Sequence, residues 1–298
     1  MTSHKIKFAV KLAVVAAVIT AVILISSDWI QIFTDSETAS VYMLSEQYPL
    51  SIYVTDCGSG NCVLIHGESN ILIDYGQEKA DKNILNLMEK LSVKKLDLAI
   101  LTHPDKDHIG NMRQVLEKIP ADCFMTCENG DYETSEDFQS LLSFIEMQDI
   151  PVKYAKAGEV LSFGELQMKI ISPTKIYDSE NDNSVVVKLN YRNFSSLLTG
   201  DISKKAEKDI LKSGENVSAD FLLVPHHGSG TSSCEEFLTA VSPKYAVVSV
   251  SETDTLPNNG TMARLIKTGC EIYRTDESGD IAVVSDGNMC KVLVLYNM

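Results

Sequence analysis

The chain has 298 residues, 44% hydrophobic and 22% charged, a globular balance that excludes disorder, collagen-like repeats and a polytopic membrane protein. Its 41 acidic and 26 basic side chains leave a net charge of −15, the wrong sign for a surface that grips a phosphate backbone throughout.

Phe8 to Ile25 form an apolar run interrupted by Lys11. At a rise of ~1.5 Å per residue such a run nearly crosses a ~30 Å hydrocarbon core. Lys5, Lys7 and Lys11 precede it or sit at its start, and Asp28 follows, so the positive-inside rule exports everything beyond it. Residues 1–30 are expected to be an N-terminal transmembrane helix that anchors the chain to the membrane. A cleaved signal peptide is the competing reading, but Ile25-Ser26-Ser27-Asp28 is a poor cleavage site. The expected location is the cell membrane, single-pass, with the rest extracellular; the alternative is secretion. Residues 31–48 read as a polar linker, and 49–298 as one domain. Beyond residue 30 the chain keeps 23 basic against 40 acidic side chains, a balance of −17.

Strands are predicted at Ser51–Asp56, Cys62–His66 and Asn70–Asp74, then a helix over Lys79–Leu91 and a buried strand at Leu96–Leu101. Helical spacing recurs over Met112–Ile119 and Phe138–Ile145. The second half starts with strands at Glu165–Ile171, Ser184–Asn190 and Phe194–Thr199. Next come a helix at Lys204–Leu211, a strand at Phe221–Val224, a helix at Glu235–Ala240 and a strand at Tyr245–Val250. A helix at Thr261–Lys267 and paired strands close the chain. Strands and helices interleaved in both halves make this an α/β chain of helix-covered sheets. Seven cysteines form no framework, and only Cys57/Cys62 and Cys123/Cys127 are close enough in sequence for a local disulfide.

Four of the six histidines fall in two clusters, each just after an apolar strand. The first, Thr102-His103-Pro104-Asp105-Lys106-Asp107-His108, packs two imidazoles and two carboxylates into six residues. Ionised carboxylates this close repel one another unless cations lie between them. The second, Pro225-His226-His227-Gly228-Ser229, follows Phe221–Val224; if it stays extended, only one of its histidines can share a metal. A third strand ends in Gly200-Asp201. Three strand ends carrying ligand-type residues point to a metal site rather than to solvated turns.

The ordered set ILIDYG (71–76), THPDKDHIGN (102–111), LLTGDIS (197–203) and LLVPHHGSGTSS (222–233) resembles the metallo-β-lactamase fold superfamily. More narrowly it is similar to the extracellular hydrolase domain of ComEC-type competence proteins, with NDNSVVVKL (181–189) and IYRTDESGDIAVVSDG (272–287) extending the match. The resemblance implies a four-layer αβ/βα sandwich with the metal site where the strand ends of two sheets meet. It also implies metal ligands at His103, Asp105, Asp107, His108, Asp201 and His227, with Asp201 bridging and Asp74 supporting a ligand histidine. His226 is expected to touch substrate or leaving group, although which of His226 and His227 is the ligand stays open. Asn183 and Ser184, where many members carry a third histidine, and Ser229 are expected to face substrate.

The implied cofactors are two divalent ions, Zn²⁺ or Mn²⁺, which lower the pKa of a shared water toward ~7 and stabilise transition-state charge. Catalysis would then rest on Asp107, His226 and Asp74. The expected activity is that of a membrane-tethered phosphodiesterase or nuclease acting on a phosphoester such as DNA. A hydrolase of another ester (a lactone or a wall-linked phosphoester) and a non-catalytic module that keeps the fold are the alternatives. The sequence indicates no protein partner. Two departures from the family stand out: its early Asp-Val-Gly-Gln-Gly-Asp run reads Asp56-Cys57-Gly58-Ser59-Gly60-Asn61, and a late His-Pro reads Leu256-Pro257.

Overall fold

A computed structural model describes residues 47–77, 81–110, 112–128, 135–253 and 255–295, which lie within one compact unit. The expected anchor (1–30) and nearly all of the linker (31–48) lie outside the described residues. Among those described, no helix is long and apolar enough to cross a membrane.

The first half contributes β1 (Leu50–Val54), β2 (Val63–His66), β3 (Asn70–Ile73), α1 (Asp81–Lys90), β4 (Leu98–Leu101), α2 (Lys106–Ile109), α3 (Met112–Lys118), β5 (Phe124–Thr126), α4 (Glu136–Met147) and β6 (Val152–Tyr154). The second contributes β7 (Val160–Phe163), β8 (Leu166–Ser172), β9 (Val186–Tyr191), β10 (Phe194–Leu198), α5 (Lys204–Lys212), β11 (Phe221–Leu223), α6 (Glu235–Val241) and β12 (Tyr245–Val248). The chain closes with α7 (Asn259–Thr268), β13 (Glu271–Arg274), α8 (Thr275–Ser278), β14 (Asp280–Ser285) and β15 (Cys290–Leu295).

These strands form two sheets, ordered β15-β14-β1-β2-β3-β4-β5-β6 and β13-β12-β11-β10-β9-β8-β7. Each is antiparallel in one part and parallel in the other: β3 to β6 run parallel in the first sheet, β10 to β13 in the second. Parallel neighbours need crossovers, which the helices supply. Alternation along each strand splits its side chains between two layers. Ile52, Ile65, Ile71 and Ile100 meet Met168, Val187, Leu198 and Val247 between the sheets. On the outer face of the second sheet, Leu222 and Ala246 pack under Ala206 and Ile210 of α5, Phe237 of α6 and Leu265 of α7. The result is an α/β sandwich in which near-continuous apolar runs such as Leu98–Leu101 are buried on both faces.

The sequence reading missed β5, β6 and β7. All three are short, β5 and β6 three residues each and β7 four, too few for a period-2 pattern to stand out in the sequence. All seven cysteines are free, so neither close pair forms a disulfide.

The C-terminal hairpin is fastened to the first sheet by Asp280, whose Oδ1 accepts the Asp56 N–H at 2.6 Å. Burial pushes the Asp280 carboxyl up to about 6, with the Asp56 charge adding to the rise and its N–H and Lys90 opposing it. A carboxyl raised on folding stabilises the folded state below its unfolded pKa, and that contribution is lost as pH climbs through the folded value. Between pH 4 and 7 the protein should therefore lose stability relative to Asp280→Asn, by at most on the order of 3 kcal/mol. Urea unfolding at both pH values measures this; parallel pH slopes for the two proteins would refute it.

Candidate metal centre

The candidate metal ligands and Asp74 sit just past the C-terminal ends of β3, β4, β10 and β11, in the parallel parts of the two sheets, the edge where open α/β sheets present their ligand sites. The register Ile73↔Ile100 sets Asp74, just past β3, beside Thr102, just past β4. In the second sheet, Leu198↔Leu223↔Val247 align the ends of β10, β11 and β12, so that Asp201, His226-His227 and Ser249 emerge side by side.

After β4 the chain passes His103 and turns at once into α2. Asp105 is the N-cap of that helix, but its carboxylate makes no capping bond. It lies instead with Oδ2 3.4 Å from His103 Nε2. One turn on, His108 places Nδ1 2.7 Å from Asp74 Oδ2 and Nε2 3.3 Å from Asp201 Oδ1. His227 holds the carbonyl of Ser249 at 2.8 Å from Nδ1 and directs Nε2 to within 3.4 Å of Asp201 Oδ2 and 3.7 Å of Asp107 Oδ2. His226 Nε2 is 3.8 Å from Asp201 Oδ2. The segment does not stay extended: His226 and His227 both adopt the left-handed conformation, φ 51°. That turn lets both rings approach Asp201, with His227 buried and the His226 side chain 30% exposed.

The Nε2 atoms of His103, His108 and His227 and Oδ1 of Asp201 are buried and have no hydrogen-bond partner. Buried polar atoms are rarely left so, and these four are imidazole nitrogens and a carboxylate oxygen, the atom types that bind metal ions. Two overlapping donor groups result, His103–His108–Asp201 and Asp107–His108–His227, each with its ligand atoms within 4.8 Å of one another. Imidazole nitrogens with carboxylate oxygens are the donors divalent transition metals take, so these groups can hold a metal. His108 belongs to both groups, while Asp105 stands beside His103 outside them.

Electrostatics match. Burial pushes Asp201 up, but His227 and His108 outweigh it and hold the carboxyl well below the usual carboxylate range. Burial pushes His108 down, and the Asp201 and Asp74 charges override it, raising that imidazole well above its ordinary value. Asp105 is held down to about 2, chiefly by the His103 ring beside it, against the opposing effect of burial. For His226 burial prevails over Asp201 and lowers the pKa.

Two expectations change. Asn183 is fully buried and its amide binds the backbone of Tyr177 and Ser179, so it does not face substrate. Ser184 is also buried; its hydroxyl accepts the Asp201 N–H at 3.0 Å and lies 3.4 Å from His103 Nδ1, supporting the centre from behind. Ser229 stays at the rim, its hydroxyl engaged by Thr231 at 2.9 Å. The open side is lined by the partly exposed Asp105, Asp107 and His226.

Sequence reasoning missed Thr102 and Ser249. Thr102 gives its N–H and its hydroxyl to Asp74 at 2.7 and 2.8 Å, and the same hydroxyl oxygen is 3.0 Å from His103 Nδ1. Ser249 holds Gly60 through a 2.6 Å hydroxyl bond besides orienting His227. At the two family departures, Asn61 is buried with its amide oxygen unpartnered, and Leu256 packs on the outer core beneath α7 rather than into the centre.

The model of the metallo-beta-lactamase superfamily matches residues 55–252, more than half of the chain. ComE operon protein 3 of Bacillus subtilis (strain 168) is 29% identical over 248 residues, covering 76% of this chain and 32% of that protein. Competence protein ComA of Neisseria gonorrhoeae is 28% identical, covering 77% of this chain and 31% of its own. The chain thus spans about a third of the length of these relatives. Among solved structures, CmlA, a diiron β-hydroxylase from Streptomyces venezuelae, shares the fold with a TM-score of 0.52 at 11% identity, over 83% of this chain and 54% of that one. The chain belongs to the metallo-beta-lactamase superfamily, and its relatives there are the ComEC-type competence proteins.

Proposed function

We propose that this protein is a membrane-tethered, metal-dependent phosphodiesterase that cleaves a DNA strand outside the cell. The observation that carries the reading is that the partnerless Nε2 atoms of His108 and His227 face the Asp201 and Asp107 carboxylates, with His103 Nε2 grouped with His108 and Asp201. His103, His108, His227, Asp107 and Asp201 would hold two divalent ions, Zn²⁺ or Mn²⁺, with Asp105 beside His103. Bound there, such ions supply Lewis acidity toward phosphoryl oxygens and acidify a shared water. The chain's own residues do the rest: Asp74 fixes the His108 ring, Ser249 fixes His227, and Asp107 and His226 border the open side where a phosphodiester would enter. The names of the competence relatives favour DNA as the substrate, and the Phe8–Ile25 run favours a tether.

A second reading has its own support. The balance of −17 beyond residue 30 repels a long polyanion, which favours a small phosphoester over a DNA strand. Metal-loaded protein should hydrolyse a chromogenic phosphodiester, and Asp107→Ala should abolish that turnover; metal binding without hydrolysis of any ester would defeat the enzyme reading. A nuclease with many phosphate contacts weakens steeply with salt, whereas a small-ester hydrolase barely responds. Cleavage of single- and double-stranded DNA across a salt series therefore separates the two substrates.

A further inference from the structure

We infer that Thr102 is a positioning residue that extends the hold of Asp74 from one histidine to two, fixing which ring nitrogen of His103 is free to bind a metal. The inference rests on the metal-centre reading above, but its first test does not need a metal.

The argument is an inventory of protons. The Asp74 carboxylate has only acceptor oxygens. Its Oδ1 takes the Thr102 N–H at 2.7 Å, and its Oδ2 takes both the Thr102 hydroxyl at 2.8 Å and His108 Nδ1 at 2.7 Å. The Thr102 hydroxyl has one proton, and a carboxylate is its strongest available acceptor. With that proton committed, the oxygen can only accept from His103 Nδ1, 3.0 Å away. His103 must then carry its proton on Nδ1, leaving Nε2 as a bare lone pair. That is the atom found buried, without a partner, and 3.4 Å from Asp105 Oδ2. As neutral rings, His108 is set the same way by its direct bond to Asp74, and His227 by donating to the Ser249 carbonyl. One carboxylate, one hydroxyl and one carbonyl thereby turn three Nε2 lone pairs toward the two overlapping donor groups. All of these groups are fully or almost fully buried, so water does not compete for the protons.

Removing the hydroxyl has a directional consequence. In Thr102→Val the remaining neighbour of His103 Nδ1 is Ser184 Oγ at 3.4 Å, which already accepts the Asp201 N–H at 3.0 Å. The Ser184 proton is then the one that points at His103, and it requires Nδ1 to accept. The ring should shift its proton to Nε2, the atom needed for the metal. Thr102→Ser keeps the hydroxyl and should keep the wild-type arrangement.

The test uses the full chain in three forms: wild type, Thr102→Val and Thr102→Ser. Long-range proton–nitrogen NMR of the metal-free proteins at alkaline pH reports which nitrogen of each ring is protonated. We expect His103 to be protonated on Nδ1 in wild type and Thr102→Ser, and to move wholly or partly to Nε2 in Thr102→Val, with His227 unchanged in all three. Competition titration with zinc against a chromophoric chelator should show a loss of about 10- to 100-fold in affinity for Thr102→Val, with Thr102→Ser within about threefold of wild type. Thermal unfolding of each metal-free protein separates this from misfolding, because only a folded Thr102→Val with a changed His103 ring supports the relay. A folded Thr102→Val that keeps the proton on Nδ1, or binds zinc like wild type, would overturn it. Wild type that binds no zinc would sink the metal-centre reading, while the ring signals would still decide the relay.

Discussion

Replacing Asp201 with alanine should lower metal-dependent kcat/KM by at least about a thousandfold while leaving the circular-dichroism spectrum unchanged. Asp201 is the only residue of the centre whose carboxylate approaches three of the imidazoles: His108 at 3.3 Å, His227 at 3.4 Å and His226 at 3.8 Å. Burial opposes its charge, and the histidines overcome that opposition. The site therefore holds a buried anion matched to cations, and alanine removes the one carboxylate that joins His108, His227 and His226. Asp201→Asn should fail equally, because the amide puts an N–H donor where a metal would need a lone pair. Steady-state kinetics with metal-stripped and reloaded protein measures the loss. Retention of more than about a tenth of the activity by either variant would remove Asp201 from the centre.

The second large effect is expected at Gly60, in the loop that differs from its relatives. Its φ of +113° lies where side chains are strongly disfavoured, and an added Cβ would fall 1.8 Å from the carbonyl oxygen of Asp107. The Gly60 carbonyl is itself held by Ser249 Oγ at 2.6 Å and approached by Cys57 Sγ at 3.3 Å, so the loop cannot retreat freely. Gly60→Ala must then displace either this loop or the Asp107 turn. The expected cost is roughly 2–4 kcal/mol of stability together with at least about a tenfold loss in metal affinity. Gly158 is the control: its φ is +90°, but nothing lies within 4 Å of the added Cβ. Gly158→Ala should cost only about 1–2 kcal/mol from backbone strain and leave metal affinity unchanged. Chemical unfolding and metal titration of the two variants distinguish collision from strain, and equal behaviour would contradict the assigned contact.

What the sequence made legible follows from where its signals are local. Leu98–Leu101 is apolar and Thr102–His108 is rich in ligand types, so the abrupt change marks a strand end carrying chemistry. The same contrast marks Phe221–Val224 before His226-His227. Pairings across the sheets leave no such trace. Thr102 looks like an ordinary strand-end threonine until the register sets Asp74 beside it, and Ser249, which holds His227, bonds Gly60 from 189 positions away. Asn183 and Ser184 were misread because their place in the motif does not reveal which way a side chain turns, and both turn inward. Whether the strand continues through His226-His227 is not legible either; the left-handed backbone there brings both rings toward one carboxylate. The superfamily itself came from ordered motifs; periodicity alone reached only interleaved strands and helices.

The central claim is that His103, His108 and His227 present their Nε2 atoms to a divalent metal. The most direct measurement is equilibrium titration of the metal-stripped chain with Zn²⁺ while following the ring nitrogens of these histidines by NMR. Saturable binding that shifts the Nε2 signals of all three, and is lost in Asp201→Ala, is the predicted result. Absence of saturable binding, or binding that leaves these three rings unmoved, would contradict it.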